Sequence, residues 1–216
     1  MMPVRKIPRN YRHPTGQVSL GDDKSTAFEG TPERDFVCLM RGDTDFFGIE
    51  SQPLRIDFKT AEGKASHYTP DYLVTFRAES GRRPMLVEVK SRYELKEKWA
   101  EYRPRFKLAT RICRERGWVF KIMTEEKIRT PRLDNLKRLQ YQGRHVPNEL
   151  KAQKIVSLVR STPDATFEGI LCAVAPTMAQ RVDWLPALWS LIARGRLTTD
   201  LDVPINGASR LAVYQQ

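Results

Sequence analysis

Residues 85–90, MLVEVK, constrain this chain more than any other segment. The run is too apolar for a loop and too short for a helix, so it reads as a strand. Successive strand side chains point to opposite faces, which puts Glu88 and Lys90 together on one face and Val87 and Val89 on the other, towards the core. The chain must therefore build a sheet around this strand and hold an acid and a base side by side on it.

The flanking pattern narrows the fold. PLRIDF (53–58) alternates Leu54, Ile56 and Phe58 against Arg55 and Asp57, as a half-buried strand does. AEGK (61–64) reads as a turn, HYTPDYLVTF (67–76) as a second strand by its β-branched and aromatic content, and SGRRP (80–84) as another turn. Three short strands with tight connections predict an antiparallel meander. Ahead of them, TPERDFVCLMRGD places Phe36, Leu39 and Met40 at helical spacing, with Thr31 as N-cap, Pro32 at the first helical position and Gly42 as the stop. Behind them, Leu95, Trp99, Tyr102, Phe106, Ala109 and Cys113 recur on one helical face, and Pro104 predicts a kink or two consecutive helices. WVFKIM (118–123) is a fourth strand, and the crossover helix before it makes it parallel to a neighbour. The order is helix, three strands, helix, strand, an α/β arrangement over residues 28–128.

Residues 1–27 form a basic lead-in with Pro and Gly, in which Arg5, Lys6, Arg9 and Arg12 cluster as a tail or as an arm suited to lie on DNA. Residues 129–147 are polar and basic, are broken by Pro131 and Pro147, and read as a linker with short helical content. Residues 148–216 read as a smaller second domain. Three helical stretches (NELKAQKIVSLVR, 165–175 and 179–194) precede two short strands around Asn206-Gly207, a winged-helix pattern. Trp184, Leu188, Trp189, Leu191 and Ile192 are expected as its core. Arg181, Arg194, Arg196 and Arg210 either reach phosphates or form a solvated face.

Charge points to the partner. The 216 residues carry a formal net charge of +11, which favours a polyanion through counterion release, nucleic acid ahead of an anionic membrane surface. No apolar run approaches the ~20 residues of a membrane span. The basic N-terminus is followed by no apolar stretch, so no secretory signal is expected, and Pro3, Pro8 and Pro14 argue against an amphipathic transit peptide. Cys38, Cys113 and Cys172 are far apart, as are His13, His67 and His145, so neither a disulfide framework nor a zinc site is expected. The cysteines are expected as buried free thiols in a reducing, cytoplasmic compartment.

Pro70-Asp71, followed by Glu88-Val89-Lys90, carries the chemistry. Hydrolysis of a phosphodiester needs a hard cation, which prefers carboxylate oxygens. Asp71 and Glu88 supply two, and Mg²⁺ keeps several waters, so few protein ligands suffice. Lys90 can position the attacking water or stabilise charge on the phosphate. Glu33, on the preceding helix, completes the site or binds a second ion. The plainer alternative is that Pro70-Asp71 merely opens a strand and that Glu88 and Lys90 decorate the solvent face of an edge strand.

RKIPRNYRHPTG, AFEGTPERDFVCLMRGD, SQPLRIDF, YTPDYLVTF and LVEVKSR, in this order, resemble the TnsA endonuclease subunits of heteromeric transposases over residues 4–128, and more loosely beyond. The resemblance implies a restriction-endonuclease-like core, a mixed central sheet flanked by helices, with a small winged-helix-like C-terminal domain. It implies Glu33, Asp71 and Glu88 as catalytic acids and metal ligands, Lys90 as the catalytic lysine, and Mg²⁺ as cofactor, one or two ions, with Mn²⁺ able to substitute. Glu29 competes with Glu33 for the helical role, and Glu33 is preferred because it lies within the helix. The implied substrate is double-stranded DNA at transposon ends, cut on the 5′ strands while a DDE transposase (TnsB-like) processes the 3′ ends. An AAA+ ATPase (TnsC-like) is implied as a regulator acting through the C-terminal domain. The rival readings are a stand-alone restriction- or resolvase-like nuclease and a catalytically inactive DNA-binding adaptor.

Overall fold

A computed structural model describes residues 14–21, 24–60 and 63–214. The chain divides into two units, 1–129 and 130–216. In the first, a hairpin of β1 (Gly16–Gly21) and β2 (Lys24–Phe28) leads into α1 (Thr31–Arg41). Then come β3 (Phe46–Ser51), β4 (Ile56–Lys59), β5 (Ala65–Tyr68), β6 (Tyr72–Phe76) and β7 (Met85–Val89). Helices α2 (Arg92–Glu97) and α3 (Trp99–Glu115) cross over to β8 (Val119–Met123), and α4 (Glu125–Ile128) ends the unit.

The central sheet has four strands in the order β3-β6-β7-β8. β3 and β7 run antiparallel to β6, and β8 runs parallel to β7, as the α2–α3 crossover requires. Helices cover both faces. Tyr72 and Val87 are paired and so share a face, and Phe36 of α1 meets Tyr72 there with ring centroids 5.6 Å apart. On the other face Tyr102, Phe106, Ala109 and Cys113 of α3 pack with Leu86, Phe120 and Ile122. The expected fold class is the one found: a mixed α/β unit whose central sheet is flanked by helices, as in a restriction-endonuclease-like core.

Several expectations need correction. The meander of three strands does not form. The segment 67–76 breaks at Thr69-Pro70-Asp71 because Pro70 has no N–H for a ladder, leaving β5 and β6 as separate strands. β5 pairs only with β4, in a two-stranded ribbon outside the central sheet. The place taken from β4 belongs to β3, FFGIES, which the sequence reading overlooked. Part of the expected basic lead-in, residues 16–21 and 24–27, is hairpin. Gly30 rather than Thr31 is the N-cap of α1. The helical break falls at Lys98, and Pro104 lies within α3, which continues past it.

In the second unit, α5 (Pro131–Gln142) precedes α6 (Glu149–Ser161), α7 (Phe167–Val174), α8 (Met178–Ala193) and a ribbon of β9 (Leu197–Thr198) with β10 (Ala212–Val213). The stretch expected as a linker with short helical content thus holds a twelve-residue helix. Leu133 and Leu139 are buried, with Leu139 in the core formed by Ile155, Phe167, Leu188 and Leu191. Asn135 is 5% exposed; its Nδ2 donates to the carbonyls of Leu201 (2.9 Å) and Val203 (2.7 Å), and its Oδ1 accepts from Ile205 N (3.2 Å). Trp189, Leu188, Leu191 and Ile192 are core as expected, with Trp184 partly buried against them. Asn206-Gly207 does turn, Ser209 N donating to the Asn206 carbonyl, but inside the longer loop 199–211 rather than as a tight hairpin. Cys113 is buried as expected, Cys38 only partly so, and Cys172 is exposed. No helix among the described residues is long and apolar enough to cross a membrane.

Candidate active site

β7 is an inner strand, hydrogen-bonded on both sides, and this removes the edge-strand explanation of Glu88 and Lys90. Leu86 and Glu88 share the face that α3 covers, so Glu88 is only 4% exposed. A buried carboxylate needs partners. Glu88 Oε1 lies 2.9 Å from Lys90 Nζ, and Glu88 Oε2 accepts from the hydroxyl of Tyr68 at 2.7 Å.

Asp71 stands next to this pair because the β6–β7 ladder ends one residue earlier, at Tyr72 and Val87. Beyond that point the Asp71 side chain takes over: its Oδ2 accepts from Val89 N at 2.7 Å and lies 3.9 Å from Lys90 Nζ. Its backbone is tied as well, since the Asp71 carbonyl accepts from Gln52 N at 2.8 Å. Gln52 has φ 50°, a left-handed conformation that a non-glycine residue adopts at a cost of about 1–3 kcal/mol. Such strain clusters at functional sites, and here it anchors the acid.

Glu33 arrives from the first turn of α1. Its Oε2 accepts from Glu29 N at 2.6 Å, reaching back over the helix start, and lies 3.4 Å from the Tyr72 hydroxyl, which donates to the Ala27 carbonyl at 2.8 Å. Glu29, the rival candidate, accepts from Gln52 Nε2 at 3.1 Å. Glu33, Asp71, Glu88 and Lys90 thus occupy one neighbourhood. Arg5, Lys6, Arg9 and Arg12 lie outside the described residues.

The electrostatics are those of a site rich in negative charge. Burial, then Glu88 and also Glu33, push the Asp71 carboxyl well above its usual range, against the pull of Lys90. Burial likewise raises Glu33, opposed by the hydrogen bond from Glu29. Burial alone would lower Lys90, but Asp71 and Glu88 outweigh it and push the ammonium up, so Lys90 is a charged donor rather than a base. Burial and the adjacent Glu88 also push the Tyr68 phenol up, which keeps it a donor.

Among the described residues no three His, Cys, Asp or Glu side chains already converge as a metal-binding group. Glu88 is turned to Tyr68 and Lys90, and Glu33 to the backbone of Glu29. The donor chemistry nonetheless fits a hard divalent cation: the acids gathered here are all carboxylates, and they repel one another around the Lys90 ammonium.

The sequence reading found the acids and the lysine but not Tyr68, Tyr72 and Gln52. The two tyrosines counted there only as β-formers. Their place on either side of Asp71, in YTPDY, was the available signal.

Residues 43–125 match the family described as TnsA-like endonuclease N terminal. No curated protein matches the chain significantly. The matched stretch spans the whole central sheet and contains Asp71, Glu88 and Lys90. Glu33 precedes it. The sheet that bears these residues is therefore similar to a TnsA-like endonuclease N-terminal domain, over residues 43–125.

Proposed function

We propose that this protein is a Mg²⁺-dependent DNA endonuclease of a cut-and-paste transposase, cleaving the 5′ (non-transferred) strands at transposon ends in concert with a DDE transposase. The observation that carries the reading is the placement of Asp71 and Glu88 about one lysine ammonium, with Lys90 Nζ 2.9 Å from Glu88 Oε1 and 3.9 Å from Asp71 Oδ2. In this reading Asp71 and Glu88 hold the ion, Glu33 serves as a third carboxylate, and Mn²⁺ substitutes for Mg²⁺. When bound, the cation supplies Lewis acidity at the phosphate and lowers the pKa of a bound water. Lys90 donates to a phosphate oxygen or to the attacking water, and its fixed charge stabilises the negative charge that develops there. The products are a 5′ phosphate and a 3′ hydroxyl.

The net charge of +11 supports a DNA substrate, with Arg5, Lys6, Arg9 and Arg12 as an arm on the duplex. The second unit, read as winged-helix-like, is assigned to an AAA+ ATPase regulator. A groove of about 440 Å³ there, lined by Phe167, Leu171, Met178, Val182, Leu185 and Trp189, offers an apolar surface for such a contact. The reading places the protein in the bacterial cytoplasm, on the nucleoid during transposition.

The test is strand-specific cleavage of transposon-end DNA with Mg²⁺, with and without the partner transposase, comparing wild type with Asp71→Ala. Partner-dependent cutting of the 5′ strand, lost in the variant, is expected. Cutting without the partner would favour a stand-alone nuclease, and normal cutting by Asp71→Ala would refute the site.

A further inference from the structure

Each oxygen of Glu88 is held by a different donor: Lys90 Nζ at 2.9 Å on Oε1 and the Tyr68 hydroxyl at 2.7 Å on Oε2. A glutamate side chain has three torsions to fix, and two donors on its two oxygens fix the plane of the carboxylate. Tyr68 is anchored to do this. It is the last residue of β5, paired with Ile56 across the ribbon, 6% exposed, and its ring stands edge-on to Phe106 with centroids 6.3 Å apart. A phenol uses one lone pair of the oxygen it binds, so Oε2 keeps another for a cation.

The ribbon itself belongs to no larger sheet. Its base, Ile56 and Tyr68, packs into the α3 core beside Glu88, whereas Arg55, Asp57, Lys59 and His67 along it are exposed. Packing alone would be served by phenylalanine at position 68, since the ring makes the core contacts and only the hydroxyl meets Glu88.

Resting on the metal-dependent reading above, we infer that Tyr68 is a positioning residue that presents the Glu88 carboxylate to the divalent cation, and that the β4–β5 ribbon serves to deliver it. Partners of this kind, one step removed from a metal, set its affinity, and their loss typically costs about 10–100-fold.

The experiment is Mn²⁺ titration of the full chain without DNA, followed by electron paramagnetic resonance, on wild type, Tyr68→Phe, Ile56→Val and Glu88→Ala, with near-ultraviolet circular dichroism as the fold control. Tyr68→Phe is expected to bind Mn²⁺ about tenfold more weakly, and to need correspondingly more metal for end cleavage. Ile56→Val, which trims one methyl group from the same core contact but keeps the ribbon and the hydroxyl in place, is expected to bind as wild type does. Binding by Tyr68→Phe within about twofold of wild type, while Glu88→Ala loses it, would overturn the role of Tyr68 alone. Equal weakening in Tyr68→Phe and Ile56→Val would reduce that role to packing. Undiminished binding by Glu88→Ala would mean that the metal reading has failed, and the role of Tyr68 with it.

Discussion

Asp71 has a structural duty and a chemical one, and two substitutions separate them. Structurally, its Oδ2 accepts the Val89 N–H at 2.7 Å where the β6–β7 ladder has run out and Pro70 offers only a carbonyl. Asparagine retains an acceptor oxygen in that place. Alanine leaves the Val89 N–H unpaired, at a cost of about 1–3 kcal/mol. Chemically, the carboxylate carries charge against Glu88 and Glu33, and burial with these neighbours raises its pKa. A raised folded-state value means that this group contributes stability at low pH, and the contribution is lost as pH rises through that value. Asparagine is neutral throughout and escapes the loss. At neutral pH without divalent metal, Asp71→Asn should therefore be at least as stable as wild type, with Asp71→Ala about 1–3 kcal/mol below Asp71→Asn. In melting temperature that gap is roughly 4 °C per kcal/mol for a unit of this size. Calorimetry measures the stabilities, and strand cleavage with Mg²⁺ measures activity, which both variants should lose. Asp71→Asn melting below Asp71→Ala, or cutting at the wild-type rate, would refute the reasoning.

Three further outcomes are expected. Lys90→Met should slow cleavage by about 10²–10³-fold while leaving DNA binding in place, as measured by single-turnover kinetics beside a gel-shift assay. Asn135→Ala removes three hydrogen bonds at about 1 kcal/mol each, so hydrogen exchange across residues 130–216 should speed up by about two orders of magnitude, with residues 1–129 unaffected. Cys172, whose thiol is held up by its hydrogen bond to Glu168, should be the first cysteine labelled by a thiol reagent, faster still in Glu168→Ala and faster as pH rises, with Cys113 labelled only on unfolding.

What could be read from the sequence followed how strongly each segment states its own periodicity. The α3 stripe from Tyr102 to Cys113 and the apolar run of β7 are self-evident, and the crossover between strands dictated that β8 run parallel to β7. β3 was hidden because Phe47 faces solvent, Gly48 contributes no side chain and a bulge shifts its register against β6, so no alternation survives. The β1–β2 hairpin is polar and rich in glycine at its ends, and only pairing reveals it. α5 looked like a linker because its polar and charged residues, Arg132, Asp134, Asn135, Lys137, Arg138, Gln140 and Gln142, outnumber Leu133, Leu136 and Leu139, which recur three residues apart. The acids of the candidate site were legible because the proposed phosphodiester chemistry demands their type. The hydroxyls that orient them were not, because an aromatic residue in a strand has a sufficient explanation in packing.

The position of β8 sets a lower limit on any working fragment. Val119 to Met123 carry no chemistry, yet they pair with β7 along its whole length, and Lys90 N donates to the Met123 carbonyl at 3.1 Å. A polypeptide still being synthesised has Glu33, Asp71, Glu88 and Lys90 long before it has this strand. Until β8 is in place, β7, which carries Glu88, is an open edge paired on one side only. On the proposed reading, a truncation ending before residue 119 should retain Glu33, Asp71, Glu88 and Lys90, lack β8, and cut nothing.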